Sequence, residues 1–395
     1  MAKITPFRKK EELHVDMKEY TKKLLQHRAG VLGRILACVV AAALLVGGLF
    51  WHYVTRSYES YEVFNSIEHA DTINTRYEEY GEYLLRYSKD GITCMRMNGE
   101  SVWSQPFSAQ DPILNICGSS VVAADRGGNQ IYIFDETGLR GEVNTLLPVQ
   151  QVTVSRQGVI AALLEDNGVS WIHLFDQKGE ELLRARCSLA ETGQPLSLSL
   201  APDGSKLAVS YLQIGNGMAN SCVVFYNLGA VGDNFVDKIV SSKLYEGLLI
   251  PRVQYLDTDT CVAVGEAGFY LYEGAEIPEE TKATEVESEI RSICFGEREF
   301  GLICQQEGEE PYILRIYDER GNLTMEQSFG LKYSQVKLSR DDVIIFNDSE
   351  CAIYGKNGVL RYQGTFSDSL INVYALQGRR YVVIHPQRTD QIKLK

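Results

Sequence analysis

Residues 121–138 (VVAADRGGNQIYIFDETG) contain the pattern that decides the fold. A strongly apolar run, Val121 to Asp125, is followed by an aromatic-rich run, Ile131 to Asp135, and by a turn that ends at Gly138. A moderately apolar run precedes this pair and a polar run follows it. The same four-part unit recurs along the chain, with closing glycines at positions 99, 138, 179, 229, 274, 321 and 358. The steps of 37 to 50 residues between these glycines are typical of β-propeller blades, each a sheet of four antiparallel strands.

Eight strongly apolar runs are predicted to be the second strands of eight blades. They are Tyr83 to Tyr87, Val121 to Asp125, Val159 to Leu164, Lys206 to Ser210, Cys261 to Val264, Phe300 to Cys304, Val343 to Phe346 and Tyr381 to Ile384. Their content of Val, Ile, Leu and Ala suits strands that neighbouring blades cover on both faces. The sequence therefore predicts an all-β fold: a propeller of eight four-stranded antiparallel blades, or of seven if the first or last unit is not a true blade.

The eighth unit has three strand-like runs and lacks its outermost strand. At the other end of the repeats, Tyr61 to Ile67 (YEVFNSI) matches a strand and belongs to no unit. Adding this segment to the last sheet closes the ring and pairs strand edges that otherwise stay open. We therefore predict that residues 61–67 pair with the C-terminal strands.

One long apolar segment precedes the repeats. Ile35 to Trp51 contains no charged residue, and residues 52–54 extend the segment to 20 residues. As a helix it covers about 30 Å, enough to cross the hydrocarbon core of a bilayer. Residues 1–34 contain nine Lys and Arg against four acids, a formal charge of +5, and such basic flanks stay in the cytoplasm. The segment is therefore predicted to be a single-pass anchor with a cytoplasmic N-terminus.

These features predict a cytoplasmic basic tail (1–34), a transmembrane helix (35–54), a juxtamembrane segment with the ring-closing strand (55–75) and an extracytoplasmic propeller (76–395). A cleaved signal peptide is disfavoured because the lead-in is long and no small-x-small site ends the apolar run. A lipoprotein is disfavoured because Cys38 opens the apolar run, whereas a lipobox cysteine closes it. A buried soluble helix is disfavoured because the run is apolar all round.

Charge and motifs exclude several classes of function. The net charge is −13, so the residues after Arg34 have a formal charge of −18, and nucleic-acid binding is not expected. The six histidines have no metal-ligand spacing, and His173 fits an ordinary strand position. The sequence contains no nucleophile elbow, P-loop, dinucleotide fingerprint or calcium loop. We therefore assign no catalytic, cofactor-binding or metal-binding residue, and we favour a non-enzymatic protein over an enzyme.

Three features have two interpretations each. The eight cysteines after the anchor fall in or beside apolar runs and fit small buried hydrophobes, but Cys294 and Cys304 flank one predicted hairpin and are candidates for a disulfide. Glu276 to Glu289 fits a solvated outer strand and loop, or a site for cations or a basic partner. Residues 211–221 form an insertion between two strands of one blade, where functional loops and tolerated surface loops both occur.

Several motifs resemble known propeller families. Residues 99–103 (GESVW), with residues 124–125 (AD) and 135–138 (DETG), resemble repeats of quinoprotein-like propellers. Residues 200–208 (LAPDGSKLA) resemble a turn of WD40-like and TolB-like propellers, although the Gly-His and Trp-Asp dipeptides of WD40 repeats are missing. Over roughly residues 60–395 the arrangement resembles membrane-anchored propellers of unknown function from Gram-positive bacteria. The resemblance specifies the fold more than an activity.

The function expected from these observations is binding. A protein-binding or scaffolding module in the cell envelope, anchored in a bacterial cell membrane by residues 35–54, fits the composition and the repeats. Its expected partners are membrane lipid, through the anchor, and an unidentified envelope protein; neither a cofactor nor nucleic acid is expected, and the sequence sets no oligomeric state. The alternative is a ligand-sensing or enzymatic propeller, for which the central channel should be lined by carboxylates and histidines.

Overall fold

The computed structural model describes residues 17–69, 71, 74–187, 192–215 and 217–395. The chain divides into two compact units, Met1–Arg56 and Ser57–Lys395. The first unit contains helix α1 (Met17–Val54), which continues without a break through the predicted boundary at residue 35. The first sixteen residues of the predicted tail lie outside the described residues.

Helix α1 contains one segment that is long and apolar enough to cross a membrane. Gly30–Gly48 form a window of 19 residues with a mean hydropathy of 2.2, and none of this window is buried against protein. The window begins five residues before the predicted anchor and therefore includes Arg34. By length and composition, both a membrane anchor and a signal sequence fit this helix.

The second unit consists of eight four-stranded antiparallel sheets, which are the eight predicted blades. Blade 1 contains β2 (Arg76–Tyr80), β3 (Tyr83–Ser88), β4 (Gly91–Arg96) and β5 (Ser101–Pro106), and blade 2 contains β6 (Pro112–Cys117), β7 (Ser120–Asp125), β8 (Gln130–Asp135) and β9 (Gly138–Asn144). Blade 3 contains β10 (Val149–Val154), β11 (Ile160–Asp166), β12 (Val169–Phe175) and β13 (Glu181–Cys187), and blade 4 contains β14 (Gln194–Leu200), β15 (Lys206–Gly215), β16 (Met218–Asn227) and β17 (Ile239–Tyr245). Two short 3-10 helices, Gly232–Asn234 and Val236–Lys238, lie between β16 and β17.

The other four blades follow the same order. Blade 5 contains β18 (Arg252–Tyr255), β19 (Thr260–Gly265), β20 (Gly268–Glu273) and β21 (Glu279–Glu285), and blade 6 contains β22 (Ile290–Phe295), β23 (Glu299–Gln305), β24 (Tyr312–Asp318) and β25 (Leu323–Phe329). Blade 7 contains β26 (Gln335–Ser339), β27 (Asp342–Phe346), β28 (Glu350–Gly355) and β29 (Leu360–Thr365). Blade 8 contains β30 (Asn372–Ala375), β31 (Arg380–Ile384) and β32 (Arg388–Leu394), with β1 (Tyr61–Glu68) as its fourth strand. Eight blades, not seven, are therefore present.

The hydrophobic core is a ring of interfaces between sheets. The first strands of adjacent blades contact one another around the centre, as β6 contacts β10 and β14 contacts β18. The strongly apolar runs form the second strands, as predicted, and every residue of β19 and β27 is buried. Among the described residues, eight hydrophobic clusters fill the eight spaces between neighbouring blades. Each sheet is thus covered on both faces, which explains why its second strand is apolar without alternation.

Strand β1 closes the ring. It pairs antiparallel with β32 from Tyr61 opposite Leu394 to Glu68 opposite Arg388, with a bulge between Val63 and Asn65. The predicted pairing of residues 61–67 with the C-terminal strands is therefore present. Blade 8 takes its outermost strand from the start of the unit, so the last sheet has no missing strand.

The seam between blades 8 and 1 contains a buried polar cluster. The carboxylate of Asp71, whose side chain is 1% exposed, accepts a hydrogen bond from Tyr77 Oη and pairs with Arg86 Nη2 at 2.5 Å and His69 Nδ1 at 3.1 Å. His69 Nε2 lies 3.0 Å from Thr389 Oγ1 on β32. Burial lowers the pKa of His69, and Arg86 adds to this effect while Asp71 opposes it. We call His69, Asp71, Tyr77, Arg86 and Thr389 the seam cluster; it connects β32 with the segment that leads into blade 1.

The antiparallel order gives the unit two end faces. Turns between first and second strands, and between third and fourth strands, lie on one face, which we call the first face. Turns between second and third strands lie on the opposite, second face, together with the connections between blades. Because β1 is the fourth strand of its blade, the chain enters the unit on the first face.

The structure decides the three features that had two interpretations. Cys294 pairs opposite Gly301 and Cys304 opposite Ile290, and the two cysteines belong to clusters on opposite sides of the sheet, so they cannot form a disulfide. All described cysteines are free thiols. The acidic segment contains β21, an outer strand whose residues alternate between exposed and half-buried. Residues 211–221 are not a loop, because β15 and β16 extend through most of them as paired strands.

Candidate functional site

Blade 4 has a hairpin that projects beyond its own sheet. β15 and β16 pair as far as Gly215 opposite Met218, whereas β14 pairs with β15 only as far as Leu212, and β17 pairs with β16 only as far as Ser221. On the β16 side, Met218 and Ala219 therefore have no neighbouring strand among the described residues. Ile214 and Met218 are 81% and 54% exposed on this tip. A projecting hairpin with exposed apolar side chains and an unpaired edge is a surface to which another chain can add.

The hairpin forms one wall of a groove on the second face. Side chains at alternate positions share one side of a strand pair, which places Leu212, Ile214 and Ala219 on the same side as Ser221. The Ser221 hydroxyl oxygen accepts a hydrogen bond of 2.8 Å from the backbone N–H of Ile250, so this side faces blade 5. Both Leu212 and Ala219 line the groove, while Ile214 extends the same apolar side toward the tip.

The groove runs across blades 4, 5 and 6 and has a volume of about 830 Å³. Neighbouring blades contribute the beginnings of their first strands and the connections between blades to the lining. Most of the lining side chains are apolar. The lining residues are Leu196, Leu212, Ala219, Leu249, Pro251, Arg252, Gly265, Glu266, Ile290, Arg291, Ser292, Ile293 and Phe295. Grooves of this size and composition are typical binding sites in proteins.

Three charged residues line the groove, and two of them have polar partners. Arg291 contacts Glu289 at 3.1 Å through Nη1 and donates to Gln305 Oε1 at 2.7 Å through Nε. Glu266 Oε1 accepts a hydrogen bond of 3.4 Å from the backbone N–H of Leu249.

Arg252 is different. Its guanidinium carbon lies 5.6 Å from the centre of the Phe295 ring, and no carboxylate lies within ion-pair distance in the described part of the chain. Arg252 is exposed to solvent, and partial desolvation by the surrounding protein lowers its pKa. Among the described residues, the groove therefore contains an arginine that contacts an aromatic ring and has no ion-pair partner.

A second cavity, of about 610 Å³, lies at the circumference between blades 2 and 3. Glu181 contacts Arg184 at 2.9 Å and His173 at 3.3 Å, whereas Arg186 lies 5.9 Å over the Trp171 ring and has no ion pair among the described residues. Burial lowers the pKa of His173, which occupies the strand position predicted for it. His173 Nε2 is buried without a hydrogen-bond partner in the described part of the chain.

The first strands around the centre contain few ionisable side chains and no histidine. Charge is concentrated beside blade 8, where Lys337 donates to Tyr374 Oη at 3.1 Å and Glu79 accepts from Ser339 Oγ at 2.9 Å. Burial lowers the pKa of Lys337 and raises that of Glu79. Within the described residues, no group of three or more His, Cys, Asp or Glu side chains could bind a metal ion.

Sequence reasoning found only one part of the groove. The insertion at residues 211–221 marked the hairpin, but not its extended pairing or the side of it that faces blade 5. The remaining lining residues come from three blades and are more than 90 positions apart at the extremes, so no local pattern unites them. Arg252 gave no signal in the sequence, because only the folded chain shows that carboxylates are absent around it.

Solved structures with the same architecture are distant in sequence. The similar structures include BamB from Moraxella catarrhalis (TM-score 0.50, 12% identity, 85% of this chain and 100% of that one). They also include Saccharomyces cerevisiae Sqt1 (0.52, 8%, 86% and 99%) and a eukaryotic initiation factor (0.52, 12%, 87% and 88%). At such identities the likeness shows the fold alone.

The family is shown by the sequence. No curated protein matches the chain. A family model described as "Family of unknown function (DUF5711)" matches residues 54–394, which includes β1 and all eight blades. The prediction of a propeller family of unknown function is thus confirmed, and the chain belongs to the DUF5711 family.

Proposed function

We propose that this protein is a membrane-anchored, extracytoplasmic binding module whose groove on the second face receives a segment of another protein. The observation on which this rests is the projecting hairpin of blade 4 beside an apolar groove. The side chains of Ile214 and Met218 lie mostly in water, so polar residues in their place would not weaken the fold. The presence of apolar side chains at these exposed positions therefore indicates a contact surface. We call the hairpin tip and the groove together the docking surface.

The docking surface offers two kinds of contact to an extended chain. The unpaired edge of the hairpin at residues 218–219 presents backbone N–H and C=O groups, to which an added strand can hydrogen-bond. Apolar side chains, among them Leu249 and Ile293, line the adjacent groove and can accept alternate side chains of that strand. Backbone pairing supplies affinity and the groove supplies selectivity.

The anchor in this proposal is the apolar part of α1, which crosses a bacterial cell membrane once. The basic residues before it keep the N-terminus in the cytoplasm, so the propeller lies on the outer side. The chain enters the second unit on the first face, and the docking surface is on the opposite face. A Gram-positive source belongs to the same proposal.

Photo-crosslinking in the native host tests the binding function. A photoreactive amino acid replaces Ile214, Leu249 or Ile293 in turn, and exposed Leu182 and Leu323 on outer strands of blades 3 and 6 serve as controls. We expect the first three positions to give the same covalent protein adduct, identified by mass spectrometry, and the controls to give none. The absence of any adduct specific to the docking surface contradicts the proposal.

Topology is tested separately. Protease is added to intact spheroplasts that produce the chain with an epitope after Lys395 and a second epitope before Met1. We expect loss of the C-terminal epitope and retention of the N-terminal one on an anchored fragment. Retention of both epitopes until the membrane is permeabilised places the propeller in the cytoplasm and contradicts the orientation.

A further inference from the structure

We propose that the segment bound by the docking surface carries a carboxylate that pairs with Arg252, between apolar residues that occupy the groove on both sides. This inference rests on the proposed binding function and adds the chemistry of the partner to it. The occupant is an extended peptide segment with one Asp or Glu flanked by apolar side chains.

The position of Arg252 in the groove supports a central carboxylate. It is the first residue of β18 and pairs opposite Val264, directly after Leu249, Ile250 and Pro251. Phe295 of blade 6 lies on its other side. A ligand group that reaches the guanidinium is therefore flanked by apolar surface in both directions.

The local charge of the groove supports an acid in particular. Its lining contains two arginines, Arg252 and Arg291, against one acid, Glu266, although the residues after Arg34 have a formal charge of −18. Arg291 is already paired with Glu289, whereas Arg252 is exposed in the groove and has no such partner in the described ranges. A carboxylate forms two parallel hydrogen bonds with a guanidinium. An acidic side chain is therefore the group that Arg252 is best suited to bind.

The groove favours a peptide over other molecules with a carboxylate and an apolar body. A fatty acid also combines these two groups, but it has no backbone to pair with the free hairpin edge at residues 218–219. The opening of the groove along three blades suits an extended chain, which places side chains at intervals of about 7 Å on one side. Nucleic acid is disfavoured by the acidic unit as a whole.

Peptide selection tests the inference. The full chain is reconstituted in phosphatidylcholine nanodiscs and used to select from a phage-displayed library of random peptides. We expect selected peptides to share one Asp or Glu between apolar residues. Selection with Arg252→Gln should retain the apolar positions and lose the acid. Selection with Arg291→Gln, a matched arginine in the same groove, should retain the acid, because Arg291 already has polar partners.

The affinities of individual peptides then measure how much the acidic side chain contributes to binding. For a selected peptide synthesised with Glu or with Gln, we expect the wild-type chain to bind the Glu form about tenfold more tightly, a ratio typical of one charge-assisted pair. The Arg252→Gln variant should bind both forms equally, with an unchanged urea midpoint showing that the fold is intact. Dodecanoate should not displace the peptide.

The outcomes separate the two proposals. Apolar peptides without acid preference, or equal affinities for the Glu and Gln forms, overturn the role of Arg252 and leave the binding function in place. Displacement by dodecanoate overturns the peptide in favour of a fatty acid. If no selected peptide loses affinity when Ile214→Ser and Leu249→Ser are introduced together, the docking surface itself is wrong.

Discussion

The seam between blades 8 and 1 and the groove across blades 4 to 6 differ in how their charges are arranged. At the seam, buried Asp71 has three partners: His69, which follows the ring-closing strand, and Tyr77 and Arg86 in blade 1. In the groove, Arg252 has an aromatic neighbour and no counter-ion within the described ranges, and apolar side chains are left open to water. Paired buried charges stabilise a particular closure, whereas an unpaired charge with exposed apolar surface is suited to a ligand.

The difference also concerns hydrophobic packing. Among the described residues, the cluster between blades 8 and 1 is the smallest of the eight, with Tyr77, Leu84, Tyr374, Val382 and Ile384 as its buried members. Polar contacts therefore contribute a larger share of the stability there than elsewhere. Changes at the seam should affect folding, and changes in the groove should affect binding only.

The largest effect is expected from removing the ring-closing strand. A chain that begins at Asp71 lacks β1 and the buried ring of Tyr58, and exposes the edge of β32. We expect its free energy of unfolding to fall by at least about 3 kcal/mol, since each buried aromatic or aliphatic side chain contributes about 1.5–3 kcal/mol. Urea unfolding measures this, with a chain that begins at Ser57 as the control. Equal midpoints for the two chains contradict closure by β1.

The next effect is expected from the seam cluster itself. Asp71→Ala leaves Arg86, His69 and Tyr77 without the acceptor that they share. Breaking a buried ion pair on one side typically destabilises a protein by about 3 kcal/mol. The urea midpoint of Asp71→Ala should therefore lie well below that of the wild type, whereas Arg252→Ala should leave it within about 0.5 kcal/mol. A lower urea midpoint for Arg252→Ala than for Asp71→Ala would show that Arg252, and not the seam cluster, stabilises the fold.

A smaller, pH-dependent effect is expected at His69. Burial lowers the pKa of His69 in the folded chain, so its neutral form contributes stability above the unfolded pKa of about 6.5. This contribution is lost as the pH falls below that value, because the unfolded chain then takes up a proton more readily. We expect the fall in stability between pH 7.5 and pH 5 to be smaller in His69→Gln than in the wild type. Amide exchange of β1 and β32 at the two pH values reports the same change locally, and an identical fall in both proteins argues against it.

The smallest effect on folding is expected at the hairpin tip. Ile214→Ser and Met218→Ser replace side chains that are mostly in water, so each should change the free energy of unfolding by less than about 0.5 kcal/mol. Ile214→Ser, on the side of the hairpin that faces the groove, should also abolish the adduct formed from position 249, whereas Met218→Ser, on the other side, should leave it unchanged. Thermal unfolding measures the first property; a loss of several degrees in melting temperature would mean that the tip belongs to the core and not to the docking surface.

Much of the second unit could be predicted from the sequence because the blades repeat. Each second strand is covered by two neighbouring sheets, so runs such as Val121 to Asp125 and Val343 to Phe346 are apolar without alternation. The free strand at residues 61–67 was recognisable because the last unit lacked one strand. Cys294 and Cys304 were not decidable from spacing, since the register of β22 with β23, which places Gly301 opposite Cys294, puts the two cysteines on opposite sides of the sheet.

The sequence by itself determined the propeller fold, the strand that closes the ring and the presence of one long apolar helix, because burial on both faces and helical length appear directly as residue patterns. Only the tertiary structure decided between eight blades and seven, which side chains meet on the second face, and that Arg252 has no carboxylate near it among the described residues. The physical reason is that a groove is made where several blades converge, from residues that lie far apart in the chain. An unpaired charge is defined by what surrounds it in space, and no local pattern records that.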